Sequence, residues 1–160
     1  MCINMNNQIR SANVGDIEAI NKLLYQVHHI HYSIRPDLFL EGKKKYGDSE
    51  LLEIIKNKNK PIFVYEEENT IIGYIFCVIE DISNESHTKI KSMYIDDLCV
   101  DQYKRGKHIG KLLYEYAKKY AKKVFCHNIY LNVWEGNTSA KAFYESLGMK
   151  VQKTTFEEVL

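Results

Sequence analysis

Between residues 93 and 124 an apolar, β-branched run, "MYIDDLCV", passes through the basic turn "DQYKRGKHIGK" into "LLYEYAKKYAKKV", whose apolar residues recur at helical spacing. A second strand-like run, "NIYLNVWE", lies just beyond. Strand, short turn, helix and strand in that order predict a right-handed crossover between parallel neighbours. The chain is thereby confined to folds with at least one parallel strand pair covered by a helix.

The rest of the pattern fills in around that unit. A short strand is expected near Ile9 to Ala12, followed by a helix whose apolar positions are Ile17, Ile20, Leu23, Leu24 and Val27. Asp48 or Ser49 is expected to cap a short helix carrying Leu51, Leu52, Ile54 and Ile55. The runs "PIFVYEE", "IIGYIFCVIE" and "IKSMYIDDLCV", separated by polar turns, read as an antiparallel meander. The helix after the basic turn is placed at Lys107 to Val124, with Ile109, Leu112, Leu113, Tyr116, Ala117, Tyr120 and Val124 as its buried stripe. "NTSAKAFYESLG" reads as a helix capped by Asn137 and closed by Gly148, and "KVQKTTFEEVL" as a last strand. The fold class is therefore α/β (α+β), a mixed sheet flanked by about four helices.

With 160 residues, two prolines and no repeat or low-complexity linker, the chain reads as a leader over 1–8 and a single domain over 9–160. A net charge of +1 gives no global attraction to nucleic acid or to an anionic membrane. No run approaches the roughly 18 apolar residues of a membrane span. Cys2, Cys77, Cys99 and Cys126 show no metal spacing, and three of them sit in apolar runs, as free thiols of a cytoplasmic protein do. A cytoplasmic monomer or homodimer is the expectation.

A helix that starts directly after a strand presents unpaired N–H groups and the positive end of its dipole, which attract anions. Gly106 and Gly110 allow close backbone approach, while Lys104, Arg105, Lys107 and Lys111 surround the turn with positive charge. A pyrophosphate is the kind of guest such a turn suits, although basic glycine turns at strand–helix junctions are often only turns.

The stretches "LCVDQYKRGKHIGKLL" and "NVWEGNTSAKAFYESLGMKV" together resemble the GCN5-related N-acetyltransferase (GNAT) superfamily over nearly the whole chain. Its acetyl-CoA signature, Arg or Gln, two residues, Gly, one residue, Gly or Ala, is matched by Arg105, Gly106, Lys107, His108, Ile109 and Gly110, with His108 standing where the pattern has glycine. A helical backbone at His108 would make that departure harmless. The family's later Asn, seven residues before a Tyr, is matched by Asn137 and Tyr144. The resemblance implies the GNAT fold, with antiparallel N-terminal strands and a splayed parallel pair. It also implies acetyl-CoA as co-substrate, its arm lined by Leu98, Cys99 and Val100 and bonded by Asn137, and its pyrophosphate held by the N–H groups of Gly106 to Lys111.

Acetylating an amine requires a base and an acid, because a lysine-like amine has a reference pKa of about 10.4 and the departing thiolate needs a proton. By resemblance to polyamine acetyltransferases of the superfamily, Asp96, four positions before Val100, draws the amine's proton, and Tyr144 is the acid. Asp96 and Asp97 are adjacent on a strand, so their side chains are expected on opposite faces, with one reaching the cleft. Solvated strand-end carboxylates and a packed aromatic are the plain alternatives.

His28, His29 and His31 face different ways along one segment, which argues against a metal and leaves them as a wall on the acceptor side. No metal is expected. Asp37 and Glu135 are expected to join Asp96 and Asp97 in an acidic acceptor mouth. Lys118, Lys119, Lys122 and Lys123 read as a solvated helix face, and Trp134 and Phe143 as packing residues. The resulting expectation is an acetyl-CoA-dependent N-acetyltransferase acting on a primary amine of a polyamine-like or aminoglycoside-like molecule or of a peptide. The alternative is a non-catalytic acyl-CoA-binding domain on the same fold.

Overall fold

A computed structural model describes residues 8–160. The leader over 1–8 thus falls almost wholly outside the described residues. Five strands form one sheet in the order β1-β2-β3-β4-β5, with β1 at Ile9–Ser11, β2 at Ile62–Glu67, β3 at Thr70–Asn84, β4 at His87–Val100 and β5 at Asn128–Tyr130. The first four are antiparallel neighbours, and β5 lies parallel to β4, as the crossover requires. Glu68 and Asn69 carry positive φ in the two-residue turn that joins β2 to β3, the geometry a tight hairpin needs.

Four α-helices cover the sheet: α1 at Ile17–Ile34, α2 at Asp48–Lys56, α3 at Ile109–Lys123 and α4 at Thr138–Ser146. On one face Ile20, Leu23 and Leu24 of α1 and Leu51 of α2 pack on Val64, Tyr74 and Phe76. On the other, Ile109, Leu113, Tyr114, Ala117 and Ala121 of α3 pack on Phe63, Ile75, Cys77, Met93 and Ile95. The sheet thus lies between two apolar layers, and burying the large side chains at its centre contributes roughly 1.5–3 kcal/mol each.

Three expectations are corrected. The N-cap of α2 is Gly47 rather than Asp48 or Ser49; glycine has no side chain to accept a first-turn N–H, and only the reverse bond forms, Gly47 N–H donating to Glu50 Oε2 at 2.8 Å. Strand β5 stops at Tyr130 rather than running to Glu135, because the chain turns away there toward α4. The last predicted strand does not form: residues 150–160 carry no strand pairing and are exposed throughout, because their apolar residues, Val151, Phe156, Val159 and Leu160, do not alternate to give one buried face.

Candidate active site

The β4–β5 pairing comprises Ser92, Met93 and Tyr94 against Asn128, Ile129 and Tyr130, and then ends. From Ile95 onward β4 has no partner on that side, so the two parallel strands part in a V. At the root of the V, β4 carries a bulge. Phe76 pairs with Asp97 and Cys77 with Ile95, which leaves Asp96 as the extra residue.

The bulge changes the expected alternation of the two carboxylates. Asp97 Oδ2 accepts from Tyr74 Oη at 2.8 Å, and Asp96 Oδ2 accepts from Tyr46 Oη. Both tyrosine rings pack on Phe76, Tyr46 stacked and Tyr74 edge-on. The two side chains are therefore not sent to opposite faces: the inserted residue resets the period of two, and both are met by groups from the α1/α2 layer. Lys45 Nζ adds an ion pair to Asp96 Oδ1 at 2.8 Å and a hydrogen bond to the Asp96 carbonyl at 3.1 Å. Asp97 is buried, and burial pushes its carboxyl up to about 6 against the opposing effect of the Tyr74 hydrogen bond.

Tyr144 lies on α4, half-buried, and its ring meets Phe143 edge-on. Burial, with the negative charge of Asp97 adding to it, pushes its phenol above the ordinary tyrosine range. Asn137 is the N-cap of α4, its Oδ1 accepting from Ala140 N and from Ser139 Oγ, both at 3.2 Å. The amide Nδ2 is a donor that this cap does not use. Seven residues separate the two, so they lie two turns apart on one side of the helix.

The basic turn ends at His108, and here the helical expectation fails. Its φ is +60° and its ψ +15°, the left-handed region, while its carbonyl accepts the first α3 bond from Leu112 N at 3.0 Å. The signature's glycine has its physical reason at this position, and histidine occupies it under strain. Gly106 also has positive φ, +85°. Gly110 also matters for packing: a Cβ there would stand 3.2 Å from Phe143 Cζ, so its bareness lets α4 close on the start of α3. No acidic residue lies in the first turn of α3, and Lys111 is exposed beside it.

Three of the turn's cations are already engaged. Lys104 and Lys107 reach Glu67 at 3.0 and 3.7 Å, and Arg105 Nε donates to the Val100 carbonyl at 3.2 Å. Along β4, Leu98 and Val100 pack toward the α3 layer, but Cys99 turns its thiol to the Leu23 carbonyl of α1. Burial pushes that thiol up to about 12. Of the three residues expected to line a cofactor arm, Cys99 thus has only backbone to offer.

The acceptor side also differs from expectation. Asp37 is held by Arg35, and Glu135 by Lys141. His28 is buried, its Nε2 2.8 Å from the Leu40 carbonyl, and His28, His31 and Trp134 all contact the Phe39 ring. Among the described residues no group of three or more His, Cys, Asp or Glu side chains is arranged to hold a metal ion, and no helix is long and apolar enough to cross a membrane. Lys45, Tyr46, Glu67 and Tyr74 were not singled out by sequence reasoning. Tyr74 had the only readable signal, its two-residue offset from Phe76 on one strand face.

The sequence profile of the acetyltransferase (GNAT) family matches residues 24–149, and the chain belongs to that family. An uncharacterized N-acetyltransferase of Methanocaldococcus jannaschii is 26% identical over 89% of this chain. The chain spans 60% of that relative's length. An N-alpha-acetyltransferase of Sulfurisphaera tokodaii is 28% identical over 91% of this chain and 81% of its own. Among solved structures, a mutant of the BH1408 protein from Bacillus halodurans superposes with a TM-score of 0.91 at 34% identity, covering 95% of this chain and 98% of its own. An aminoglycoside N-acetyltransferase crystallised with CoA shares the fold at a TM-score of 0.70 and 14% identity, covering 95% of this chain and 98% of its own.

Proposed function

We propose that residues 9–160 form a single acetyl-CoA-dependent N-acetyltransferase domain that acts on a primary amine of a small cationic molecule or a peptide by direct attack in a ternary complex. The carrying observation is the coincidence, at one strand split, of a bulged carboxylate, Asp96, and a helix start suited to an anion, at Ile109, nine residues beyond the end of the same strand. The family relationship and the CoA-bound structural neighbour support the choice of co-substrate.

The residues fit that substrate. The α3 start, with no acidic side chain in its first turn, offers N–H groups from Ile109 to Lys111 to the pyrophosphate, flanked by Arg105, Gly106, Lys107 and His108. Leu98, Cys99 and Val100 present the open β4 edge to the amide-bearing arm, and Asn137 Nδ2 meets it from α4. Bound acetyl-CoA supplies an activated thioester carbonyl. Asp96 takes a proton from the acceptor's ammonium, directly or through water, and Tyr144, kept protonated by its buried position beside Asp97, gives a proton to the sulfur. Asp97 is a positioning residue, since it is held inside the sheet by Tyr74.

Release of free thiol from acetyl-CoA across a panel of polyamines, aminoglycosides and peptide amines tests the reading. Turnover with at least one amine class is expected. Tight acetyl-CoA binding with no turnover on any amine would favour the non-catalytic acyl-CoA-binding alternative, and no binding would overturn both.

A further inference from the structure

The loop between α1 and α2 brings one amine to the root of the strand split. Lys45 Nζ stands 2.8 Å from Asp96 Oδ1, the carboxylate assigned above to the acceptor's proton, and 3.1 Å from the Asp96 carbonyl. Asp96 is the bulged residue and so falls outside the β3 register. Its side chain is only 13% exposed, whereas that of Lys45 is 40% exposed. The carboxylate belongs to the fold; the amine is delivered to it from a surface loop.

The surroundings of the amine match those an acceptor would need. Its ammonium lies 5.4 Å from the centre of the Tyr46 ring, a distance at which a cation is attracted to the π face. It is close enough to Asp97 to favour that carboxylate's charged form. The charge of Asp97 in turn adds to burial in raising the Tyr144 phenol. A partly exposed pair of this kind contributes about 1 kcal/mol or less, enough to hold the amine in place without a large stability cost when it reacts.

We propose that Lys45 is an internal acceptor: its ε-amine occupies the acceptor-amine position and is acetylated by acetyl-CoA bound to the same molecule. This rests on the acetyltransferase reading above. In the step, the ammonium passes one proton to Asp96 and on to water. The amine lone pair attacks the thioester carbonyl carbon, the new N–C bond forms as the C–S bond breaks, and the sulfur departs as thiolate. Tyr144 gives the thiolate its proton and is restored by the second proton shed from the nitrogen as the amide forms. The products are Nε-acetyl-Lys45 and CoA with a free thiol. Acetylation removes the ammonium, so Asp96 loses its internal partner and external cationic amines face one competitor fewer.

The test is to incubate the full chain with acetyl-CoA and no external amine, following intact mass and mapping acetylated peptides with time. Lys45 should be modified at least roughly tenfold faster than exposed Lys43 or Lys119, because a held amine reacts as part of the same molecule. Its rate should not change with protein concentration. Asp96→Asn and Tyr144→Phe should each reduce modification of Lys45 to the rate of the exposed lysines while leaving those lysines unaffected. Modification of Lys45 no faster than Lys43, or a rate that rises with protein concentration, would overturn the proposal. Thiol release with external amines and an unmodified Lys45 would sink the internal acceptor alone; failure of acetyl-CoA to bind would sink it together with the reading it rests on.

Discussion

Asp96 and Asp97 are sequence neighbours whose carboxylates are each bonded by a tyrosine resting on the same ring: Tyr46 for Asp96 and Tyr74 for Asp97, both against Phe76. One bulge in β4 produces this arrangement. It gives the two residues unequal tasks, since Asp96 is reached from a loop and Asp97 is enclosed.

The enclosed carboxyl has a measurable cost. Burial pushes the Asp97 carboxyl up to about 6 in the folded protein, against an ordinary 3.8 in the unfolded chain, so the folded state holds the proton more tightly. Its contribution is neutral below 3.8 and becomes a penalty of up to about 3 kcal/mol as pH rises through about 6. Asp97→Asn retains an acceptor for Tyr74 and removes the charge. It should raise the thermal midpoint at about pH 8, with the gain vanishing by about pH 4; a gain independent of pH would refute this account.

Tyr144→Phe preserves the ring that meets Phe143 and removes only the hydroxyl. Acetyl-CoA affinity by calorimetry should stay within about twofold of wild type while turnover falls by roughly 10² to 10⁴. Near-normal turnover would reduce Tyr144 to a packing residue.

His108 occupies a left-handed backbone position that costs a side chain roughly 1–2 kcal/mol. His108→Gly relieves that cost but adds freedom to the unfolded chain, so a net gain of up to about 1 kcal/mol is expected in denaturant titration. His108→Ala keeps the strain and should gain nothing. Equal effects of the two would show that the strain is absent.

Glu67 holds Lys104 and Lys107 away from any anion at the turn. Glu67→Gln should tighten acetyl-CoA binding by up to roughly fivefold at low salt, with the gain lost at high salt. An unchanged Kd at low salt would mean that these lysines lie outside the phosphate path.

Much of the fold was legible because hydrophobic periodicity survives in a single sequence: the meander, the crossover and the first three helices follow from runs that bury one face, while α4 was marked by its Asn137 cap and Gly148 stop. What escaped detection depends on contacts between distant residues. Nothing near Lys45 or Tyr46 announces a partner about fifty positions later, and a bulge has no composition of its own. His108 shows the limit from the other direction. The motif marked the position correctly, yet its φ is set by the geometry of leaving β4 and entering α3, which local propensity does not encode. The final strand failed because Val151, Phe156, Val159 and Leu160 do not alternate, so residues 150–160 have no apolar face to bury on the sheet.

The parting of β4 from β5 after Tyr94 leaves a length of strand whose outer amides have no sheet neighbour, although the inner edge stays laddered to β3 on either side of the Asp96 bulge. A ligand that runs along this open edge completes the sheet as well as filling a cleft, so its binding energy becomes folding energy for both arms of the V. Amide exchange should therefore slow along the far half of β4 and into α4 when acetyl-CoA is added, while β1 to β3 are unaffected. The same coupling should steady α4, which contributes no fully buried side chain of its own, once the substrate arrives.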